Sequence, residues 1–135
     1  METLRLEIVT PQELAFSEEV HMVTLPAVEG QMGVYPQHVH VITQIVPGEV
    51  IVSTDGHDRF LAVGEGLVEI TGTQVAIVTD MAISADNIDE AKVEEARARA
   101  AARLREKISD EEVATVNASL ARSLAQLQVK RRRRT

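Results

Sequence analysis

The stretch "VAIVTDMAISADNIDEAKVEEARARAAARL", residues 75–104, contains a change of period that divides the chain. Its first third is rich in Val, Ile and Thr, the residues that suit a pleated, half-buried strand. From Asn87 the run "NIDEAKVEEARARAAARLREKI" has no Gly or Pro and is built from good helix formers. Val93, Ala96, Ala100, Leu104 and Ile108 step by three or four, which places them on one helical stripe. A β part therefore ends, and a helical part begins, near residue 87.

Toward the N-terminus the same strand signal recurs. "LRLEIV" (4–9) alternates, with Leu4, Leu6 and Ile8 on one face. "VHMVTLP" (20–26) reads as extended and ends at Pro26. "VHVITQIV" (39–46), "EVIVST" (49–54), "RFLAV" (59–63) and "GLVEI" (66–70) are separated by turn signals at Pro47-Gly48, "DGHD", Gly64 and "TGTQ". Short strands with a turn about every ten residues predict an antiparallel β-sandwich of about ten strands over residues 1–86.

Toward the C-terminus, Asn87 with Glu90 fits a capping box, and Ser109 with Glu112 fits a second that restarts the chain as a new helix. Val113, Val116, Leu120, Leu124 and Leu127 form its stripe. Two stripes joined by a few residues predict an antiparallel helical hairpin over 87–129, followed by a basic tail at 130–135. Much of the seam is alanine (Ala96, Ala100, Ala118, Ala125), and a methyl group gains little on burial, roughly 0.8 kcal/mol per buried carbon. The hairpin is thus expected to be loosely held.

The net charge of −7 conceals a division: −11 over residues 1–87, where Arg5 and Arg59 face thirteen acids, and +4 over 88–135. Aromatics make up 2% of the chain, so the core must be aliphatic. The absence of Cys excludes disulfide and thiolate chemistry. No run suits a membrane span or a secretory signal. There is no G-x-S-x-G, P-loop or G-x-G-x-x-G, and the carboxylate pairs Glu18/Glu19 and Asp55/Asp58 fall in apparent turns. His38 and His40 share a strand face if that segment is extended, and with Glu29 could ligate zinc. That gives an alternative reading, a free-standing β-sandwich binding protein with an H-x-H metal site. The arginines Arg97, Arg99, Arg103, Arg105 and Arg122 and the tail "KRRRR" make a basic helical arm. Without aromatic stacking residues nearby, and beside an acidic sandwich, nucleic acid is not the expected partner; an acidic protein surface fits the charge.

The block E-G-Q-M-G-V-Y-P-Q-H at Glu29–His38, the later strands "FLAVGEGLVEITGTQVAIVTDMAI" and the helical start "NIDEAKVEEARARAAARL" together resemble the epsilon subunits of F-type ATP synthases, over essentially the whole chain. One departure is that Glu65 separates Gly64 and Gly66, where the family usually has two adjacent glycines.

The resemblance implies a non-catalytic rotor subunit. Its sandwich would sit at the foot of the central stalk against the gamma subunit and the ring of c subunits, coupling proton-driven ring rotation to ATP synthesis. The hairpin would extend toward the alpha and beta subunits and hinder ATP hydrolysis through its basic arm. The chain would be a peripheral membrane protein on the cytoplasmic face of a bacterial inner membrane. Glu29, Gly30, Met32, Gly33, Tyr35, Pro36 and His38 become the partner-docking block, with Glu29, Met32, Tyr35 and His38 exposed and Gly30 and Gly33 supplying backbone freedom. No metal or tightly held cofactor is implied. Some relatives bind ATP on the hairpin through an I/L-D-x-x-R-A motif; here Ile88 and Asp89 match, Lys92 and Val93 replace Arg and Ala, Arg99 and Arg122 are in place, and Gln126 stands where another Arg would help. Lys lacks the guanidinium fork, so the expected ATP binding is weak.

Overall fold

A computed structural model of the chain describes residues 2–133. Ten strands precede a 3-10 turn and two helices. The strands are β1 (Leu4–Val9), β2 (Leu14–Val20), β3 (Met22–Ala27), β4 (Gly30–Val34), β5 (Val41–Ile45), β6 (Gly48–Thr54), β7 (His57–Val63), β8 (Gly66–Ile70), β9 (Gln74–Thr79) and β10 (Ala82–Ser84). They form one hydrogen-bonded path, β10-β7-β6-β3-β5-β8-β9-β1-β2, with β4 paired to β3. The path folds over on itself, so that Leu6 and Ile8 of β1, Leu25 of β3, Val52 of β6, Ile70 of β8 and Ile77 of β9 meet in one core. Each of these is at most 1% exposed, and burying such a side chain is worth roughly 1.5–3 kcal/mol.

The alternation in β1 is realised, with Leu4, Leu6 and Ile8 buried. The Asp55-Gly56 turn joins β6 to β7 with both residues at positive φ (52° and 78°), as a two-residue hairpin turn requires. Three local expectations are corrected. The sheet is not wholly antiparallel: β1 runs antiparallel to β2 but parallel to β9, because β9 returns to β1 after the whole intervening sheet rather than through a hairpin. The strand through Pro26 does not stop there. It continues to Ala27, because Pro26 needs only its carbonyl, which accepts from the Val46 amide at 2.8 Å. The apolar run 75–83 is two strands, broken at Asp80-Met81, so that β9 pairs with β8 while β10 crosses to pair with β7. Thr79 holds the break by donating from its hydroxyl to the Glu65 carbonyl at 2.9 Å.

The helical hairpin comprises α1 (Glu90–Leu104) and α2 (Asp110–Arg133). The first cap lies at Asp89, not Asn87. Asn87 is spent in the 3-10 turn Ala85–Asn87, and the Asp89 carboxylate accepts from the Lys92 amide at 3.2 Å. The second cap is as expected: Ser109 Oγ accepts from the Glu112 amide at 3.2 Å. Arg103 of α1 pairs with Glu112 near the turn, and Arg131 of α2 pairs with Glu90 at the far end, so the helices are antiparallel. The expected stripe on α2 fails at Leu124, which is 49% exposed. Here α2 packs against the sandwich as well as α1, and Ser123, Ala125, Leu127 and Val129 are the buried residues. The basic residues 130–133 continue α2; residues 134–135 of the expected tail lie outside the described residues.

Candidate docking face and helical arm

The Glu29–His38 block is a strand hairpin followed by a turn. β3 and β4 pair from Val23↔Val34 to Ala27↔Gly30, with Val28 and Glu29 at the tip. Gly30 has φ +127°, a backbone that a side chain would strain. Gly33 is not at positive φ; a Cβ there would sit 3.0 Å from the Met22 methyl, so it bears on packing and not on dihedral freedom. Pro36 and Gln37 (φ 72°) then turn the chain toward β5. Tyr35, 61% exposed, and Glu29 face solvent, as expected. Met32 does not; it leans back onto the core. His38 is half-buried, its Nδ1 2.7 Å from the Val39 carbonyl oxygen, and His40 Nε2 lies 3.3 Å from Glu69 Oε2. Both rings lie in the irregular segment before β5, not on a strand, and among the described residues no three His, Asp or Glu side chains gather around a common point.

A second surface was not singled out from the sequence. Strand register places Val9 of β1 opposite Val78 of β9, and Val78 opposite Leu67 of β8. All three point out of the sandwich, at 38%, 60% and 53% exposure. On β5 the row meets Gln44, opposite Leu67; Ile42, 66% exposed, stands two positions along the strand, opposite Glu69 and beside a hollow lined by Glu29, Gly30 and Met32. A shallow trough of about 560 Å³ follows the other end of the row, lined by Val9, Pro11, Leu67 and Val78. Outward strand positions are normally polar, so an exposed row of three paired apolar residues is a departure from the usual pattern. The signal was present in the sequence as out-of-phase apolar residues within "RLEIV", "GLVEI" and "VAIVT". It could be read only after strand pairing brought them side by side.

Gly64-Glu65-Gly66 turns the chain between β7 and β8. A Cβ on Gly66 would lie 1.9 Å from the Val78 carbonyl oxygen, and one on Gly64 would lie 1.7 Å from Asp80 Oδ1. Each glycine therefore admits a different neighbour, and Glu65 between them is exposed. The carboxylate admitted by Gly64 reaches α2: Arg122 donates to Asp80 Oδ2 at 3.0 Å. Gln126, one turn on, donates to Met81 Sδ at 3.0 Å.

Most of the expected basic arm is engaged within the chain. Arg97 pairs with Glu94, Arg103 with Glu106 and Glu112, and Arg122 with Asp80. Hydrogen bonding to Arg97 holds the Glu94 carboxyl below its ordinary range. Arg99 and Arg105 are exposed. Of the residues considered for ATP, Ile88 is buried against Ala62, Ala85 and Val129, Asp89 caps α1, Lys92 and Arg99 are exposed, and Arg122 already has a carboxylate partner.

Residues 3–85 match the family described as ATP synthase, Delta/Epsilon chain, beta-sandwich domain, and residues 86–131 match its long alpha-helix domain. The ATP synthase epsilon chain of Herpetosiphon aurantiacus is 38% identical over 131 residues, covering 97% of this chain and 96% of that protein. The epsilon chain of Ruthia magnifica is 36% identical over 129 residues, covering 96% and 94%. Among solved structures, a chain of the Euglena gracilis mitochondrial ATP synthase, OSCP/F1/c-ring, superposes with TM-score 0.72 at 23% identity, over 88% of this chain and 76% of that one. A chain of the Tetrahymena thermophila mitochondrial ATP synthase central stalk/c-ring does so with TM-score 0.58 at 13% identity, over 96% and 97%. At those identities the structural likeness is one of fold. No helix among the described residues is long and apolar enough to cross a membrane.

Proposed function

Because the chain belongs to the ATP synthase delta/epsilon family, we propose that it is the non-catalytic central-stalk subunit of a rotary ATP synthase, docked by its sandwich and regulatory through its hairpin. The observation that carries the docking half is the exposed apolar row Val9–Val78–Leu67. An exposed apolar row suits a protein partner such as the gamma subunit, and the β3–β4 tip, with its charged Glu29, suits the polar loops of the c-ring. The chain then transmits proton-driven ring rotation to the alpha and beta subunits, where ATP is made, as a peripheral protein at the cytoplasmic face of a bacterial inner membrane.

Reconstitution of the stalk with Val78→Asp and with Leu67→Asp tests the docking face. Both positions are more than half exposed, so the isolated chain keeps its fold. Losing burial worth about 1 kcal/mol and adding a charge to be desolvated weakens association at least tenfold. Unchanged association with both variants removes the assignment.

The inhibitory half rests on the seam between hairpin and sandwich, where Ile88 and Val129 pack with Ala62 and Ala85 and where Arg122–Asp80 and Lys130–Ala85 are polar ties. A segment so held can leave when another surface competes. ATP is a weak ligand in this account, because Arg122 would have to abandon Asp80, and Lys92 offers a single ammonium in place of a fork.

A further inference from the structure

We propose that His21 is a pH-sensitive clasp in the sandwich: as a neutral imidazole it fastens the β6–β7 turn to the β2–β3 corner, and on protonation it lets the turn go.

His21 is the single residue between β2, which ends at Val20, and β3, which begins at Met22. Its own amide donates to the Ser53 carbonyl of β6 at 2.9 Å, so its backbone is fixed against that strand. Its side chain, 21% exposed, then reaches the turn that follows. The Asp55 amide donates to His21 Nδ1 at 3.0 Å. A backbone N–H can only donate, so Nδ1 must be the bare, accepting nitrogen and the ring proton sits on Nε2. One contact therefore selects one tautomer. It falls on a residue at φ 52°, a backbone region that non-glycine residues enter seldom.

Protonation reverses this chemistry. Imidazolium carries an N–H on both nitrogens and accepts at neither. The new Nδ1 proton faces the Asp55 N–H, donor against donor, and the bond from turn to corner is lost. The groups around the ring do not replace it. Asp55 offers its carboxylate, with Oδ1 3.8 Å from Nε2, but that side chain is 81% exposed, and a solvated ion pair at this distance is weak. On β7, Asp58 accepts from Ser53 Oγ at 2.7 Å, Arg59 is held by Glu18 of β2, and His57 is exposed. On the corner, Glu19 of β2 is exposed and in register with Arg5 of β1. Histidine is the side chain whose charge ordinarily changes between about pH 5 and 8, so the clasp responds to mild acid. It lies wholly within the sandwich and is independent of what the hairpin does.

Nuclear magnetic resonance on the full-length chain tests this. The ring nitrogen shifts of His21 report its tautomer, and hydrogen-exchange protection factors report the Asp55 amide, at about pH 8 and about pH 5. The expected result is the Nε2–H tautomer at the higher pH. At the lower pH the Asp55 protection factor should fall by roughly fivefold or more, the equilibrium equivalent of one typical hydrogen bond. His21→Asn puts an amide oxygen near the place of Nδ1 and does not titrate, so Asp55 protection should no longer depend on pH. Asp55→Asn and His57→Gln should keep the wild-type response, because neither the turn carboxylate nor the neighbouring imidazole carries it. An Nδ1–H tautomer in the neutral chain overturns the clasp, as does equal Asp55 protection at the two pH values or a His21→Asn chain that still responds. Loss of the response in Asp55→Asn would assign it to the ion pair, and loss in His57→Gln to the other histidine; either overturns the proposal. Amides of β8 and β9 should stay protected throughout, and a fall shared by them would be general unfolding and would overturn it too.

Discussion

Gly64 and Gly66 are two positions apart, yet alanine at each should damage a different part of the molecule. A Cβ on Gly66 would stand 1.9 Å from the Val78 carbonyl oxygen and 2.9 Å from Thr79 Cα, both backbone atoms of the paired strand. The strands must part by about 1 Å before the closest contact reaches 3.0 Å, which breaks the Gly66↔Thr79 pair at the edge of the trough. Overpacking of this kind costs typically 1–3 kcal/mol, and with no flexible side chain to yield, Gly66→Ala belongs near 3 kcal/mol. For a domain of this size that is a fall in melting temperature of roughly 10 °C or more. A Cβ on Gly64 meets only the carboxylate of Asp80, which can rotate away. The loss is then the Arg122–Asp80 pair, whose side chains are 33% and 34% exposed. With solvent screening, such a pair is worth about 0.5–1 kcal/mol. Calorimetry should give Gly66→Ala a large drop in the sandwich transition. Gly64→Ala should melt within a few degrees of wild type and show faster amide exchange in α2 around Arg122. A Gly66→Ala chain that melts like wild type, or below which Gly64→Ala falls, would refute the contact argument.

Three further outcomes follow from local chemistry. Asp89→Ala removes the cap of α1 and should cost about 1 kcal/mol of hairpin stability, seen as a loss of helical circular dichroism on warming. Glu18 of β2 receives both Nη atoms of Arg59 of β7, at 2.9 and 3.0 Å, across the gap between the two ends of the sheet, and Arg59 also lies 5.2 Å from the Phe16 ring centre. The hydrogen bonds from Arg59 lower the Glu18 pKa. The pair's contribution is therefore present above the ordinary glutamate range and lost as pH falls through the lowered folded-state value. Since both side chains are nearly half exposed, Glu18→Gln should cost about 0.5 kcal/mol at neutral pH and nothing once pH is below both values, which denaturant titrations at the two pH values will read. Isothermal titration with ATP should give weak binding to wild type. It should strengthen with Lys92→Arg, which restores the fork; no change would argue that the hairpin is not a nucleotide site.

The layout of the chain was legible because two periods occur in separate halves, and the helical restart at Ser109 was legible because its cap is local. What escaped the sequence depends on distant neighbours. The parallel pairing of β1 with β9 joins residues about seventy positions apart, and nothing within either strand encodes it. Pro26 was read as a stop because its missing N–H is visible in sequence, while the Val46 amide that uses its carbonyl is not. Asn87 was read as a cap because Asn is a good one, but the preceding 3-10 turn uses it and leaves the task to Asp89. In the docking block, Tyr35 and Glu29 stand exposed while Met32 is recruited to the core, a difference set by β3–β4 pairing and not by residue type. A separate basic tail is expected after residue 129 because a charge run carries no packing signal of its own, yet residues 130–133 continue α2 and Arg132 meets the buried Glu49.

The most direct measurement is ATP hydrolysis by the cognate catalytic complex rebuilt with the full chain or with a chain ending at Asp86, with binding of each measured in parallel. Both chains are expected to bind, because the apolar row lies wholly within the sandwich, and hydrolysis is expected to rise when the hairpin is removed. Equal hydrolysis rates with both chains bound would contradict the inhibitory role of the hairpin, and loss of binding by a folded truncation would contradict the docking face.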